Sequence, residues 1–417
     1  MAYWPRVVDE ELRARLASLG AVVIEGPKAC GKTFTARQAA ASEVLFDTDE
    51  DARATAAIDP RLVLEGPTPR LLDEWQFAPT VWNSVRRVAE ERGLPGQFIL
   101  SGSTVPEDDE TRHSGAGRIS RIQMRPMSLF ESGHSTGAIS LSALLEGESP
   151  RSPDSGATVA SMAERIAVGG WPGFQRLPAR DAVRAVASYL DEIRRVDMSR
   201  IDHKKRNQRR VGKLLRSLAR NIGTAATVTK LMADTGDEDR PLARETVEDY
   251  LSALERLMII EDQPAWTPHM RSRYQLRTTP HRHFVDPSLA VAALGGSPER
   301  LLKDLNLLGL LFESLVIRDL RVYAQASDAT VSYYRDNSGL EVDTIVETRD
   351  GRWAAFEVKL GGAERIEEGA KSLLRFAGRI DTEKIGRPAC LGLIVANGYG
   401  YVREDGVSII PLGALRP

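Results

Sequence analysis

The sequence predicts an α/β protein whose first part is built around a parallel sheet. Short apolar runs suited to buried strands occur at residues 21–24, 43–46, 70–73, 97–100 and 119–124. Segments with the apolar spacing of helices precede or separate these runs at residues 9–19, 34–41 and 80–92. Strands that alternate with helices form parallel sheets covered on both faces. A glycine-rich loop directly after the first strand is the third observation that supports this fold class.

That loop matches the pattern G-x-x-x-x-G-K-[ST] at every fixed position. Backbone N–H groups of such a loop, with the positive end of the following helix, favour phosphate binding. Lys32 is expected to reach the β- and γ-phosphates, and Thr33 is expected to bind Mg²⁺. The alternative is a glycine-rich turn whose lysine is a surface charge. The predicted nucleotide contacts are Gly26, Pro27, Lys28, Ala29, Cys30, Gly31, Lys32, Thr33 and Phe34.

Two carboxylates, Asp73 and Glu74, end the third predicted strand. In phosphoryl transfer the first can bind Mg²⁺ through water, and the second can orient and deprotonate the attacking water. We assign Asp73 to the metal and Glu74 to the base. The alternative is a solvated strand end. Ser101 and Ser103 follow the fourth strand, and either hydroxyl could sense the γ-phosphate.

Three arginines, Arg112, Arg118 and Arg121, follow in the chain. One of them could neutralise transition-state charge as an arginine finger, within the chain or from a neighbouring subunit. Arg118 is the favoured candidate, and the alternative is an arginine paired on the surface.

Composition limits the class of protein. A chain of 417 residues suits two or three domains, and a net charge of −2 requires a local patch for any nucleic-acid contact. The two cysteines, Cys30 and Cys390, match no metal spacing and suggest a reducing compartment. The sequence shows no signal peptide, and no apolar run approaches the ~20 residues of a membrane span. We therefore expect a cytoplasmic protein with no membrane partner.

Three short helices and a hairpin are predicted from about residue 208, which is the order of a winged helix. We expect a P-loop ATPase domain at residues 1–200, with a loop or linker at 132–161. A winged-helix-like domain at 201–290 and a mixed α/β domain at 291–417 follow.

Cations are concentrated at residues 203–220, from His203 to Arg220. They could contact nucleic-acid phosphates, form a solvated helix face, or bind an acidic protein patch. The third helix argues against reading of bases, because its outward residues include Glu245, Glu248 and Asp249. The winged helix is therefore interpreted as an interaction module, with nucleic acid, another protein or a second copy of the chain as the alternative partners.

The chain resembles the bacterial and archaeal AAA-type ATPases that join a P-loop domain to a C-terminal domain of unknown function. The matching stretches are residues 26–33, 72–76, 100–103, 117–118, 125–129, 169–172, 341–343 and 357–359. The resemblance implies ATP and Mg²⁺ as ligands, ATP hydrolysis, and a restriction-endonuclease-like fold for the last domain. Arg70 is a departure, because the family's acidic strand is usually wholly apolar.

Asp343 with Glu357-Val358-Lys359 forms the D…E-x-K pattern of nucleases that bind Mg²⁺ through two carboxylates. Glu313 could add a third carboxylate. A two-residue turn at 350–351 would pair Asp343 with Val358, whereas a three-residue loop or a bulge would pair it with Glu357. Only the second register places both carboxylates on one face. His281 and His283 could share a strand face, but without a third ligand they give a weak zinc signal.

These patterns support three hypotheses. The first is an ATPase that couples its nucleotide state to C-terminal winged-helix and nuclease-like domains. The second is an ATP-gated DNA-processing nuclease that uses Asp343, Glu357 and Lys359. The third is a nucleotide-dependent regulator with little turnover. No guanine-specific N-K-x-D stretch occurs, so ATP or ADP is the expected ligand.

Overall fold

The computed structural model describes residues 3–104, 115–201, 204, 206–236, 242–268 and 279–417. The first unit contains β1 (Ala21–Glu25), β2 (Ser42–Leu45), β3 (Arg70–Asp73), β4 (Phe98–Gly102) and β5 (Ile119–Gln123). These form a five-stranded parallel sheet in the order β2-β3-β4-β1-β5. The helices around it are α1 (Val8–Leu16), α2 (Lys32–Arg37), α3 (Glu50–Ile58) and α4 (Val81–Arg92). The predicted α/β architecture with a parallel sheet is confirmed.

Both faces of this sheet are buried, as the alternation along β1 shows. Val23 packs into a core on one face with Trp82 and Leu100. Val22 and Ile24 pack into a second core on the opposite face, together with residues of α1. Because β1 is an inner strand between β4 and β5, the loop that follows it opens at the carboxyl edge beside the end of β4.

The middle of the chain is mainly helical. Its elements are β6 (Ile139–Ser140), α5 (Leu141–Leu145), α6 (Val159–Val168), α7 (Ala179–Glu192), α8 (Met198–Arg200), α9 (Gln208–Arg220), α10 (Val228–Thr235), α11 (Arg244–Arg256), β7 (Ile260–Gln263), β8 (His281–Phe284), α12 (Pro287–Leu294) and α13 (Pro298–Leu301). A π-helical turn at Ile193–Asp197 joins α7 to α8. Strands β7 and β8 pair antiparallel after three helices. This is the element order expected of a winged helix, and the assignment to that fold remains a prediction.

The last part of the chain is a mixed sheet with helices. Its elements are α14 (Leu305–Gln325), β9 (Ala329–Arg335), β10 (Glu341–Thr348), β11 (Trp353–Lys359), α15 (Ala363–Ala377), α16 (Thr382–Ile385), β12 (Cys390–Val395), β13 (Tyr401–Val402), β14 (Ser408–Pro411) and β15 (Leu415–Arg416). The six-stranded sheet has the order β13-β14-β12-β11-β10-β9. Strands β9 to β11 form an antiparallel meander, and β11, β12 and β14 are parallel.

The segment at 132–161 differs from the loop or linker expected from its composition. It contains β6 and α5, and β6 pairs in parallel with β15 from the far end of the chain. Leu141, Leu144 and Leu145 of α5 are buried in the core of the C-terminal part. Packing against distant residues orders a segment whose own composition favours a loop.

One hydrophobic core runs from Leu129 to Leu415 and joins the middle helices to the C-terminal sheet through α14. A buried ionic network crosses the same region. Arg318 of α14 donates to Asp286 at 2.9 Å and to Asp319 at 2.6 Å. The Asp286 carboxylate also accepts from the backbone N–H of Gly170 at 2.8 Å, and Asp319 accepts from that of Leu129 at 3.0 Å. The network therefore ties α14 to loops that follow the parallel sheet.

Candidate functional site

The glycine-rich loop folds tightly between β1 and α2. A Cβ atom at Gly26 would lie only 2.2 Å from the carbonyl oxygen of Met124, so glycine is required there. Ala29 and Gly31 have φ angles of 62° and 108°, in the left-handed region. These two residues turn the chain into α2, whose first residues are Lys32 and Thr33.

Lys32 and Thr33 already lie against the residues predicted to act with them. The buried Lys32 Nζ donates to the carbonyl oxygens of Gly26 and Pro27, each at 3.0 Å. The Thr33 hydroxyl donates to the Asp73 carboxylate at 2.9 Å. The fold therefore places the end of β3 beside the start of α2.

Asp73 and Glu74 lie at the carboxyl edge of the sheet, and each has a serine partner. The Ser101 hydroxyl donates to Asp73, and the Ser103 hydroxyl donates to Glu74 at 2.8 Å. Burial raises the pKa of Asp73, while the hydrogen bonds from Ser101 and Thr33 oppose that rise. Glu74 has a left-handed backbone, with φ of 50°. This turn points the chain away from the strand, so the two adjacent carboxylates have separate partners.

Gln76 is a member of this cluster that sequence reasoning missed. Its side-chain amide donates to Glu74 and, at 3.3 Å, to the Ser103 hydroxyl. It ends the stretch 72–76 that matches the family, which was the available signal, but that resemblance gave it no role.

The arginines lie elsewhere. Ile119, which follows Arg118, pairs with Ala21 at the amino end of β1, so Arg118 lies at the edge of the sheet opposite the glycine-rich loop. Its guanidinium donates to Glu90 at 2.8 Å. Arg121 pairs with Glu25 and lies over the ring of Trp82. Arg112 lies outside the described residues. The geometry excludes Arg118 as a finger for the nucleotide site of its own chain.

Arg6 holds the glycine-rich loop through a hydrogen bond to its backbone. The sequence did not predict this role. This buried guanidinium donates to the carbonyl oxygens of Cys30 and Arg125, each at 2.8 Å, and to the carboxylate of Glu131 at 3.0 Å. A lone arginine near the start of the chain carries no sequence signal for this role. Arg6 therefore links the loop to the segment that follows β5.

Two predicted loop contacts have structural partners instead of open surroundings. Lys28 Nζ lies 2.5 Å from the carboxylate of Asp197, which ends the π-helical turn. Cys30 is buried, with its sulfur 3.7 Å from the carbonyl oxygen of Met124. Phe34 is half exposed.

A cavity of about 510 Å³ opens beside the loop, within the range of small-molecule sites. Its lining includes Lys32, Thr33, Asp73 and Glu74 of the predicted site. The rest of its wall includes residues that sequence reasoning did not place there, among them Tyr3, Trp4, Pro172 and Arg176.

The hairpin between β10 and β11 resolves the choice of register at the C-terminal carboxylates. Thr344 pairs with Phe356, and the Thr348 N–H donates to the Arg352 carbonyl at 2.9 Å, which leaves a three-residue loop at 349–351. Continued outward, this register places Asp343 opposite Glu357. This is the register that an active site requires.

These side chains form a compact charged cluster. Lys359 Nζ lies 2.6 Å from the Glu357 carboxylate and 3.5 Å from that of Asp343. Burial and the charge of Asp343 raise the pKa of Glu357 to about 7. The same two causes hold the pKa of Glu313 well above its ordinary value. Burial opposes the charged form of Lys359, but the carboxylates of Asp343 and Glu357 raise its pKa. Among the described residues, no group of three or more His, Cys, Asp or Glu side chains is arranged to bind a metal ion.

The two histidines of β8 make structural contacts. His281 stacks on Tyr333 at 3.7 Å, and its Nε2 lies 3.2 Å from the Glu341 carboxylate. His283 lies between Ser314 and Gln263, each at 3.2 Å, and burial lowers its pKa.

The basic stretch at 203–220 divides into buried and exposed parts. The buried Arg206 donates to both oxygens of Asp249 at 2.9 Å. Arg209, Arg216 and Arg220 are exposed on α9. His203 and Lys205 lie outside the described residues. A nucleic-acid partner for this surface remains a prediction.

Comparisons with known proteins divide the chain into three parts. An AAA domain family matches residues 19–132. Domain of unknown function (DUF8612) matches residues 159–300, and Domain of unknown function (DUF4143) matches residues 308–415. The first match supports a P-loop ATPase of the AAA type at the start of the chain.

No curated protein matches this chain. Among solved structures it is similar to the Walker-type ATPase PABY2304 of Pyrococcus abyssi, with 11% sequence identity and a TM-score of 0.42. The alignment covers 68% of this chain and 94% of that one. In the part of the chain that the structure describes, no helix has the length and apolar character needed to cross a bilayer.

Proposed function

We propose that this protein hydrolyses ATP with Mg²⁺ in the cavity beside the glycine-rich loop. The observation that carries the proposal is the convergence of Thr33, Asp73 and Glu74 on that cavity, at the carboxyl edge of a parallel sheet. The AAA domain match at residues 19–132 supports the same class of activity.

The side chains suit defined roles. The Thr33 hydroxyl and the Asp73 carboxylate are oxygen donors of the kind that Mg²⁺ prefers, and they already lie 2.9 Å apart. Bound Mg²⁺ would neutralise charge on the phosphates. Glu74 would accept the proton of the attacking water, while Ser101 and Ser103 would keep the two carboxylates oriented and could report the γ-phosphate.

Lys32 would bind the β- and γ-phosphates. Its ammonium group now satisfies its hydrogen bonds with the carbonyls of Gly26 and Pro27. Phosphate oxygens carry more negative charge than carbonyl oxygens, so a nucleotide would compete for this lysine. Arg118 would act only in a neighbouring copy of the chain, because it lies at the opposite edge of its own sheet. This role requires a homo-oligomer.

The test is phosphate release from ATP by the Glu74→Gln variant. We expect nucleotide binding to persist and turnover to fall by about 10²–10⁴-fold, the usual contribution of a general base. Glu91→Gln is the matched control, because Glu91 is an exposed carboxylate paired with Arg61 on the surface. Unchanged turnover in Glu74→Gln would reject Glu74 as the base. Tight ATP binding without turnover in the wild type would favour a nucleotide-dependent regulator.

We further propose that the nucleotide state is coupled to the C-terminal part through residues 125–131 and α14. Arg6 links this segment to the glycine-rich loop, and Asp319 accepts from the backbone of Leu129 within it. The side chain of Arg125 also makes a two-point ion pair with Glu261 of β7. A conformational change in the glycine-rich loop would therefore be transmitted through these contacts to both the β7–β8 hairpin and α14.

A second candidate function is ATP-gated DNA cleavage at Asp343, Glu357 and Lys359. The hairpin register favours it, because Asp343 and Glu357 stand opposite each other. The α14–β9–β10–β11–α15–β12 order suits a restriction-endonuclease-like fold. We expect Mg²⁺-dependent cleavage of branched DNA that is lost in Asp343→Ala and retained in Glu404→Ala, which removes an exposed carboxylate. Intact linear, nicked and branched DNA after incubation with wild type, Mg²⁺ and ATP would reject this candidate.

A further inference from the structure

The cavity beside the glycine-rich loop is lined by more kinds of side chain than phosphate binding requires. Phosphates and Mg²⁺ require N–H groups, cations and carboxylates, which the loop, Asp73 and Glu74 supply. The same cavity is also lined by Tyr3, Trp4 and Pro172, whose aromatic and aliphatic surfaces offer little to a phosphate. This part of the wall is suited to a ligand group that is planar and weakly polar.

Trp4 and Arg176 present two flat groups at this wall. The guanidinium carbon of Arg176 lies over the ring of Trp4, 5.9 Å from its centre. Trp4 is partly exposed, and Arg176 is exposed. Among the ion pairs of the described residues, none involves Arg176. An indole face and a guanidinium plane are the surfaces on which nucleobases stack.

The segment that carries Trp4 is anchored on both sides of the cavity. The Tyr3 hydroxyl lies 2.5 Å from the Asp9 carboxylate of α1 and 2.9 Å from the Thr35 hydroxyl of α2. The backbone N–H of Arg6 donates to Asp9 at 2.8 Å. Trp4 lies between these anchors, so its position is fixed relative to the helix that begins with Lys32.

The segment that carries Arg176 is also supported. The Gly170 N–H donates to the buried Asp286, and the Gln175 amide donates to the carbonyl of Gly169 at 2.7 Å. The ring of Pro172 lies 3.6 Å from the position that a Cβ atom at Gly31 would occupy. This loop therefore lies directly against the phosphate-binding loop and lines the same cavity.

We propose that Trp4 and Arg176 form the base-binding subsite of this cavity, and that its ligand is a purine nucleoside di- or triphosphate. The base enters between the indole of Trp4 and the guanidinium of Arg176 and stacks on both, and the phosphates reach Lys32 and Thr33. This inference rests on the proposed nucleotide site and adds the part that recognises the base. Because stacking uses the face of the ring, it favours purines for their area and does not by itself separate adenine from guanine.

The test compares a ligand with a base and a ligand without one. Calorimetric titrations with ADP and with inorganic tripolyphosphate, both with Mg²⁺, are made on the wild type and on Trp4→Ala, Trp4→Phe and Arg176→Ala. We expect Trp4→Ala to raise the Kd for ADP about 10- to 100-fold, the usual loss for one stacked base, while the Kd for tripolyphosphate stays within about twofold. Trp4→Phe should keep most of the ADP affinity, and Arg176→Ala should weaken ADP selectively.

Tyr399→Ala is the matched control, because Tyr399 is an exposed aromatic residue outside this cavity. Equal weakening of ADP and tripolyphosphate in Trp4→Ala, or no weakening of either, overturns the subsite. The wild type could bind ADP, the variants could lose ADP affinity selectively, and the wild type could still release no phosphate from ATP. That result would refute the proposed hydrolysis and support the subsite. Wild type that binds neither ligand refutes both.

Discussion

Two serines at the end of β4 have different partners in the predicted site. Ser101 and Ser103 are two residues apart, and each donates to a different carboxylate, Asp73 or Glu74. The sequence treats the two serines as equal candidates because their chemistry is the same. In the structure they are distinct, since one supports the predicted metal ligand and the other the predicted base.

The pKa of Glu357 leads to a prediction for the C-terminal cluster. Burial and Asp343 raise this pKa from 4.5 to about 7, so the folded protein binds an extra proton between these values. The contribution of Glu357 to stability is therefore lost as the pH rises through this window. As the pH is raised from 4.5 to 8, we expect the free energy of unfolding of Glu357→Gln to increase by roughly 1–3 kcal/mol relative to that of the wild type.

Urea unfolding followed by tryptophan fluorescence measures this effect, because Trp266 and Trp353 lie in the core beside the sheet. Glu404→Gln, which changes an exposed carboxylate of the same region, should follow the wild type at every pH. A constant difference between Glu357→Gln and the wild type across the pH range would contradict the raised pKa.

At the scale of elements, the sequence predicted what depends on neighbours in the chain. The strand–loop–helix order around residues 26–33 was recognisable because glycines, a lysine and a threonine have a fixed spacing there. A hairpin around residues 350–351 was also expected, and it is formed by β10 and β11. The sequence left the register of the β10–β11 hairpin open between two loop lengths. The pairing of Thr344 with Phe356 and the hydrogen bond from Thr348 to Arg352 distinguish them.

Elements that depend on distant partners were not predicted. Strands β6 and β15 have two residues each and form because they pair with each other. The cavity wall at Trp4 and Arg176 joins two segments far apart in the chain. The buried Arg6 had no motif to reveal it. Local patterns carry no information on such contacts, so the base side of the cavity could be found only in three dimensions.

At the scale of the whole molecule, Glu261 joins three parts of the chain. Its partly buried carboxylate lies 2.6 Å from Arg125, which follows the parallel sheet, and 3.4 Å from Arg321 of α14. Burial alone would raise the pKa of Glu261, but the charges of Arg125 and Arg321 lower it to about 2. The carboxylate therefore stabilises the fold at neutral pH, and this contribution is lost as the pH falls from 4.5 towards about 2.

We expect Glu261→Gln to lower the free energy of unfolding at pH 7 on the order of 2–3 kcal/mol, because two guanidinium groups lose their shared counter-charge. The urea midpoint at pH 7 measures the loss, with Glu91→Gln as the control. The difference in free energy of unfolding between the wild type and Glu261→Gln should be smaller at pH 3, where the wild-type carboxylate begins to take up its proton. Equal stability of Glu261→Gln and the wild type at pH 7 would show that Glu261 does not join these parts.

The buried charges of Asp286, Arg318 and Asp319 have a consequence for inheritance. A descendant that replaced any one of the three would keep the other two in a water-free core without full compensation, at a cost of about 3–5 kcal/mol. Selection should remove such intermediates before a second change could restore the balance. The three positions should therefore pass through a lineage as a single unit, kept together or exchanged together for apolar residues, while the exposed arginines of α9 drift one at a time.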